Sequence, residues 1–285
     1  MDTNNGVLII NEKAGRYEGV PNESYHKELL WAYSNSDLQA ATLSPSNLLQ
    51  KRNVERKDTP AFKFGRAMHA RFEHFENESE YLKLVAVPPK MDKRTKEGKL
   101  AFEAFDLSIG NRLVLNEKEW DELEGMLAAV KAHPDANTLL NAKGINEETF
   151  IWQDKDTGVW CKCRPDKRVI ESANGLPANM VLDWKTTTSC DKRDLEKSIA
   201  DYNYHIQAAF YLDGISQVLG ETVGPFVNVF IEKGGSNVVV LGVLSDASIE
   251  RGRILYKAAL ERIASCQSSN NWWGFVDLSL PNWAA

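Results

Sequence analysis

Residues 161–185 read CKCRPDKRVIESANGLPANMVLDWK, and they predict two short, adjoining β-strands separated by a polar loop. Because side chains alternate along a strand, Asp183 and Lys185 are expected on one face and Trp184 on the other. If the first strand pairs beside the second, Asp166 can join them, so that two carboxylates share a hard cation beside an ammonium group. This arrangement suits phosphodiester cleavage, with Mg²⁺ held by one or two carboxylates and a lysine that orients or deprotonates a water.

The bulk composition is that of an ordinary globular protein with a sizeable core. The chain has 285 residues, of which 43% are hydrophobic and 26% charged. Its net charge of −6 argues against a protein that coats nucleic acid in general, but a nuclease with a local basic groove remains compatible with it.

Cysteine usage and hydropathy bear on the compartment. The four cysteines show neither a disulfide framework nor the C-x₂-C pairs typical of a metal–thiolate site, which predicts free thiols; they are Cys161, Cys163, Cys190 and Cys266. No apolar run reaches the length of a membrane span, and the polar N-terminus lacks the apolar region of a signal peptide. A cytoplasmic protein without a membrane partner is therefore expected.

The first half of the chain is predicted to be mainly helical. Ser36 is expected to cap a helix over residues 37–42, and Ser44 to cap a second helix that begins at Pro45. Phe62–Glu73 predicts a buried helix that carries His69. A lone histidine on such a helix is usually a core residue, but the small Gly65 one turn earlier is expected to let another element approach closely, which makes a ligand role more plausible.

Two basic segments are candidate phosphate contacts. One is the cluster of Lys51, Arg52, Arg56 and Lys57 near the second helix, which is either a solvated helix end or a phosphate-contact site. The other is the stretch Lys90–Lys99, which includes Lys93 and Arg94 and is either a solvated loop or a contact to the DNA backbone.

The second half of the chain alternates strands and helices. Strands are predicted over Glu147–Gln153, Val159–Cys163, Asp166–Ile170 and Met180–Trp184, and a later hairpin over Phe226–Glu232 and Val238–Leu244. A long helix over Tyr204–Leu219, ended by Gly220, places Gln207 and Tyr211 on one face. A final helix covers Ile249–Cys266, and an aromatic tail with Trp272, Trp273, Phe275 and Trp283 either packs on the body or binds a partner chain.

These patterns predict one α/β domain over residues 1–285, with a central mixed β-sheet flanked by helices and a helical N-terminal portion. Within it we distinguish an N-terminal segment (1–24), a mainly helical part (25–146), a β-sheet catalytic core with helices (147–267) and the aromatic tail (268–285).

Four sequence elements in order resemble the PD-(D/E)xK nuclease superfamily in its RecB-type branch. They are Gly65-x₃-His69, Pro165-Asp166, Asp183-Trp184-Lys185 and Gln207-x₃-Tyr211. Within that branch the sequence is most similar to the nuclease domain of RecE, exodeoxyribonuclease VIII, as carried by prophages. The resemblance extends roughly from Tyr25 to Arg262 and includes the segment from Asp92 to Lys99.

The resemblance implies a restriction-endonuclease-like fold and a 5′→3′ exonuclease that acts on the ends of linear double-stranded DNA. It implies dependence on Mg²⁺, for which Mn²⁺ can substitute, and a 3′ single strand left for a RecT-like annealing protein in recombination. It also implies a homo-oligomeric ring around the DNA.

Site residues follow from the resemblance position by position. His69, Asp166, Asp183 and the backbone carbonyl of Trp184 would bind metal, as one ion or two, and Lys185 would be the catalytic lysine. By the resemblance, Gln207 and Tyr211 would support the site and the DNA strand. From the two basic segments, Arg52, Lys93 and Arg94 are candidate contacts to the DNA backbone. Glu73 has no counterpart in the family's pattern and is a candidate support that does not touch the metal.

Two alternatives stay open at this point. A RecB-type nuclease of the repair or CRISPR-adaptation kind, of different polarity, commonly carries a four-cysteine iron–sulfur cluster, and the cysteine spacing here does not match one. A non-catalytic DNA-end-binding protein on the same fold is the other, but the intact acids and lysine argue against it, since an unpaired acid cluster is unfavourable without a cation. A helicase is not expected, because no G-x₄-G-K-[ST] loop is present.

Overall fold

The computed structural model describes residues 3–4, 7–8, 13–54, 58–273 and 279–280. Arg56 and Lys57 of the first basic segment, and Phe275 and Trp283 of the aromatic tail, lie outside the described residues. Within them, no helix is both long and apolar enough to cross a membrane.

Helices dominate the first half of the chain and flank the sheet in the second. The α-helices are α1 (Asn35–Leu43), α2 (Pro45–Asn53), α3 (Pro60–Glu73), α4 (Glu78–Leu84), α5 (Lys96–Ser108), α6 (Glu117–Ala132), α7 (Pro134–Asn141), α8 (Lys192–Asp201), α9 (Tyr204–Leu219) and α10 (Asp246–Ser269). A π-helical turn over Ser24–Glu28 precedes α1.

The strands are β1 (Thr3–Asn4), β2 (Val7–Leu8), β3 (Gly15–Tyr17), β4 (Val85–Ala86), β5 (Leu113–Val114), β6 (Gly144–Asn146), β7 (Thr149–Gln153), β8 (Trp160–Cys163), β9 (Lys167–Val169), β10 (Val181–Thr187), β11 (Phe226–Glu232) and β12 (Val239–Val243).

A five-stranded mixed sheet in the order β12-β11-β10-β9-β6 forms the centre of the fold. Strands β10 and β11 are parallel along their whole length, whereas β9 and β12 pair antiparallel with their neighbours. A parallel pair needs a long crossover, and α8 and α9 supply it between β10 and β11. A smaller sheet in the order β3-β7-β8 lies beside α9.

The alternation predicted for β10 is confirmed, and it divides the core into two layers. Val181 belongs to the cluster that also contains the buried residues of α9 and α10. Leu182 and Trp184 belong to the cluster on the other face, with α3 and α6. The ring of Trp184 stacks on Phe72 of α3 at 4.8 Å between centroids. Asp183 and Lys185 therefore face α9, while α3 is fixed against the opposite face of the same strand.

Several predicted boundaries are confirmed because local chemistry sets them. Helix α9 runs from Tyr204 to Leu219 and ends at Gly220, whose φ of 72° is the left-handed conformation that glycine adopts readily. Helix α2 begins at Pro45, and the Ser44 side chain accepts the backbone N–H of Asn47 at 3.1 Å.

Three other expectations are wrong. Helix α1 is capped by Ser34 rather than Ser36, because the Asp37 carboxylate accepts the backbone N–H of Ser34 at 2.8 Å and closes a capping box. Strand β10 continues through Thr187, where it was expected to end at Trp184, because β11 pairs with it as far as Glu232. Among the described residues, no other element packs against Gly65, since a Cβ placed there would meet none of their atoms within 4 Å.

The first residues of the aromatic tail pack on the body of the protein, which was one of the two possibilities expected for it. Trp272 packs against the core cluster of α9 and α10, and its carbonyl accepts the Ser46 hydroxyl at 3.2 Å. The next residue, Trp273, is 70% exposed. The described beginning of the tail thus lies on the body of the protein.

Candidate active site

Asp166 joins three elements. It follows Pro165 in the link between β8 and β9, where β9 pairs with only Val181 and Leu182 of β10. Its Oδ2 accepts the backbone N–H of Trp184 at 2.7 Å, so the carboxylate continues the hydrogen bonding of β10 beyond the end of β9. Its Oδ1 lies 3.0 Å from Nδ1 of His69.

His69 reaches Asp166 because α3 is held on Trp184 by Phe72, less than one turn further along the helix. Burial lowers the pKa of His69, but the Asp166 carboxylate and its hydrogen bond outweigh this and raise the pKa to about 9. A cation bound to His69 must therefore displace a tightly held proton.

Glu147 forms a group of potential metal ligands with His69 and Asp166, and it is not among the site residues predicted from the sequence. The donor atoms of His69, Glu147 and Asp166 all lie within 4.8 Å of one another. Glu147 stands just before β7 with a left-handed φ of 50°, and its N–H donates to the Asp166 carbonyl at 3.1 Å. Burial, with the charge of Asp166, raises the pKa of its carboxyl to about 8. Alternation predicts a strand there, and no sequence signal indicates this turn.

Asp183 and Lys185 form a second, deeper group on the α9 side of the sheet. Asp183 is 3% exposed; its Oδ2 pairs with Nζ of Lys185, and its Oδ1 accepts Nε2 of Gln207 at 2.7 Å. The ammonium of Lys185 lies 4.7 Å from the centroid of the Tyr204 ring. Gln207 and Tyr204 both come from the first turn of α9, which therefore fixes the geometry of the pair.

The charges of this pair are coupled. Burial raises the pKa of Asp183 although Lys185 opposes the shift. Burial lowers the pKa of Lys185, but the carboxylates of Asp183 and Asp166 outweigh it and raise the pKa, so the lysine is held in its charged form.

The first group suits a divalent cation. Its donor set is two carboxylates and one imidazole, held by three elements within one ion's reach. Carboxylate oxygens suit Mg²⁺ and Mn²⁺, and imidazole nitrogen is accepted more readily by Mn²⁺ than by Mg²⁺. Asp183, which the resemblance makes a ligand, pairs with Lys185 in this structure. The ligand roles of Asp183 and of the backbone carbonyl of Trp184 stay predictions.

A cleft of about 680 Å³ opens on the first group. Its lining combines the acids with two cationic side chains, Arg66 and Arg164, and it includes Glu73, one turn beyond His69 on α3. It also includes His26, whose imidazole is neutral because burial and the charge of Lys162 lower its pKa to about 4. Arg164 is rigidly placed: it donates to Val20 O at 2.9 Å and to Thr149 Oγ1 at 3.0 Å, and it lies 4.1 Å from the centroid of the Tyr25 ring. The cleft lining thus holds three carboxylates and two arginines, of which Arg66 is the more exposed.

The other predicted contacts lie elsewhere. Tyr211 is buried against Phe226, with ring centroids 6.0 Å apart. Arg52 pairs with Asp37 at 3.6 Å, Lys93 lies over Phe102 at 4.0 Å, and Arg94 pairs with Asp92 at 2.7 Å. None of these four is among the cleft-lining residues in the described part of the chain, and their roles stay predictions.

Comparison with known proteins agrees with this architecture. A solved structure from Eubacterium rectale, described as a "Putative exonuclease", superposes with a TM-score of 0.61 at 16% identity, over 88% of this chain and 86% of that one. At that identity the similarity shows the fold alone, and it agrees with the expected mixed α/β class. No curated protein sequence matches the chain.

The family model described as "PDDEXK-like domain of unknown function (DUF3799)" matches residues 34–274. This range contains both groups of the candidate site together with α3, the central sheet and α9. Since the match covers most of the sequence, the chain belongs to this PDDEXK-like family.

Proposed function

We propose that this protein is a divalent-metal-dependent exonuclease that degrades linear double-stranded DNA from 5′ to 3′. One observation carries the proposal. A group of three potential metal ligands opens on a cleft that is also lined by two arginines, and Lys185 is held in its charged form beside Asp183. Together these groups can supply a cation for the scissile phosphate, an ammonium group for the attacking water and cationic contacts for DNA.

Four residues would have separate roles in the proposed hydrolysis. His69, Glu147 and Asp166 would hold the cation, which supplies a Lewis acid for the scissile phosphate and an acidified water. Lys185 neutralises charge on the phosphate and orients the attacking water. Water adds to phosphorus, the bond to the 3′ oxygen breaks, and the products are a 5′-phosphate and a 3′-hydroxyl.

DNA contacts follow from the cleft. Arg66 lies on α3 one turn before His69, is nearly half exposed, and has Asp58 as its ion-pair partner. Helical rise separates Arg66 and His69 by about 4.5 Å along the axis, so Arg66 can reach a phosphate next to the scissile one. Arg164 is fixed by two hydrogen bonds, by the Tyr25 ring and by an ion pair with Glu147 at 3.9 Å, so it positions the ligand group rather than following the DNA strand.

Polarity, partners and assembly extend the proposal. The RecE-like order of motifs favours 5′→3′ digestion with Mg²⁺ or Mn²⁺, an exposed 3′ strand passed to a RecT-like annealing protein in phage-type recombination, and a ring of identical subunits. The free cysteines suit a reducing compartment and hence the cytoplasm. Light scattering on the purified protein tests the ring, and a result of monomer alone would remove it.

The central experiment incubates the protein with linear duplex DNA labelled at either end, with Mg²⁺, Mn²⁺ or EDTA, beside a closed circular duplex. We expect loss of the 5′ label first, only from linear DNA and only with metal. Release of the 3′ label first would show the opposite polarity to the one proposed. Cutting of the closed circle would show an endonuclease instead of an exonuclease.

Lys185→Ala is the diagnostic variant. Removing the ammonium should lower kcat by about 10²-fold or more while DNA binding survives. Lys192→Ala, which removes an equal charge from the exposed face of α8, is the matched control and should digest DNA normally. Undiminished digestion by Lys185→Ala would refute the site.

A further inference from the structure

Asn228 is a buried amide without a partner in the middle of an apolar strand. It is fully buried in β11, within Phe226-Val227-Asn228-Val229-Phe230. Neither polar atom of its side chain has a hydrogen-bond partner among the described residues. Leaving such a group unpaired costs about 1–3 kcal/mol, so an aliphatic residue would be more stable at this position.

The register places Asn228 beside the deeper group of the site. In the parallel pair β10–β11, Asn228 lies opposite Asp183, so the two side chains project from the same face of the sheet. On its other side the paired residue of β12 is Gly242, which has no side chain to offer. Asp183 is therefore the polar neighbour of Asn228 across the strands.

Helix α9 covers this position. The ring of Tyr204 lies 6.2 Å from that of Phe230, and the ring of Tyr211 lies 6.0 Å from that of Phe226. Asn228 stands between these two contacts, under the segment of α9 that carries Gln207. The amide is thus enclosed with Asp183, Lys185 and Gln207 rather than with the hydrophobic layer on the other face of the sheet.

Asp183 needs a further hydrogen-bond donor if Lys185 moves during the reaction. The ammonium of Lys185 pairs with Oδ2 of Asp183 here, and turning toward a phosphate draws it away from that oxygen. The other oxygen, Oδ1, is already bonded to Gln207. Without a replacement, departure of the lysine would leave a buried carboxylate oxygen unpaired, which opposes the movement.

We propose that Asn228 is a positioning residue that donates its amide N–H to Asp183 when Lys185 turns from that carboxylate to DNA. The inference rests on the proposed nuclease function and adds to it a residue that touches neither metal nor substrate. While Lys185 pairs with Asp183, the Asn228 amide has no partner among the described residues. When Lys185 turns to DNA, the amide takes its place as a hydrogen-bond donor to Asp183.

The test compares Asn228→Thr with Asn228→Val, two variants of equal shape that differ in one hydroxyl. Both suit a strand, and both remove the unpaired amide. We expect Asn228→Val to unfold at the same or a higher temperature than wild type while its kcat on linear duplex DNA falls at least tenfold with little change in KM. Asn228→Thr keeps a donor and should recover most of that loss.

Val229→Ala is the control for strand packing. Val229 is equally buried in β11 but faces the other side of the sheet. It should lower the unfolding temperature and leave kcat unchanged. Equal kcat for Asn228→Val and Asn228→Thr, with an active wild type, would overturn the inference alone. A wild type inactive on DNA with either metal would overturn the proposed function and this inference with it.

Discussion

Gly252→Ala tests the contact that positions α9, and its effect can be worked from the structure. A Cβ at Gly252 of α10 would lie 2.0 Å from the backbone carbonyl oxygen of His205. Ordinary contact begins at 3.4 Å, so the two helices must separate by the difference, about 1.4 Å. The obstacle is backbone and cannot rotate away, unlike the end of a flexible side chain.

The energetic balance has two terms. Overpacking of a core costs about 1–3 kcal/mol. Alanine in a helix interior recovers about 0.5–1 kcal/mol relative to glycine. We expect a net loss of about 1–2 kcal/mol, or a fall in Tm of about 2–8 °C for a chain of this size. Because His205 adjoins Tyr204 and lies two residues before Gln207, a shift on the order of 1 Å should also lower kcat by about 10²-fold.

Gly65→Ala is the matched control. It lies inside α3, and its added Cβ would meet nothing within 4 Å, so only the gain of about 0.5–1 kcal/mol should remain. Denaturant unfolding of wild type and both variants, with DNA digestion measured in parallel, decides the matter. Equal stability of Gly252→Ala and Gly65→Ala would refute the argument from the α9–α10 contact.

Three further predictions concern charge. Glu147→Gln should weaken Mn²⁺ binding, measured by calorimetry, by at least about tenfold, whereas Glu73→Gln should leave it nearly unchanged; the reverse order would contradict the ligand group. Arg66→Ala should weaken DNA binding and reduce the slope of log K against log salt by about 1, and an unchanged slope would exclude a phosphate contact. Burial lowers the pKa of Lys162 to about 7, so above that pH the unfolded chain binds the extra proton. The unfolding free energy of wild type relative to Lys162→Met should thus rise by up to about 1.4 kcal/mol per pH unit between pH 7 and 10, and a flat difference would contradict the shift.

Local chemistry explains what the sequence could predict. The alternation of Asp183, Trp184 and Lys185 follows from strand geometry. The end of α9 follows from Gly220, whose left-handed conformation is typical of a helix C-terminus. The resemblance then associated His69 with Asp166, and the structure places the two side chains in contact.

Features set by nonlocal contacts could not be predicted in the same way. Thr187 belongs to β10 because a partner strand more than thirty residues later extends that far. Glu147 enters the site through a turn that contradicts the strand pattern around it. Tyr211 has the helical spacing of a site residue, yet the packing of α9 on Phe226 places its ring in the core.

The left-handed backbone at Glu147 gives the family a marker for comparing its members. For a residue with a Cβ other than asparagine or aspartate, that conformation costs about 1–2 kcal/mol, and the backbone there favours glycine. Selection for hydrolysis should keep an acid at this position against that cost. Relatives that have lost the reaction should drift to glycine or asparagine, so the residue type at one turn would separate active members from inactive ones.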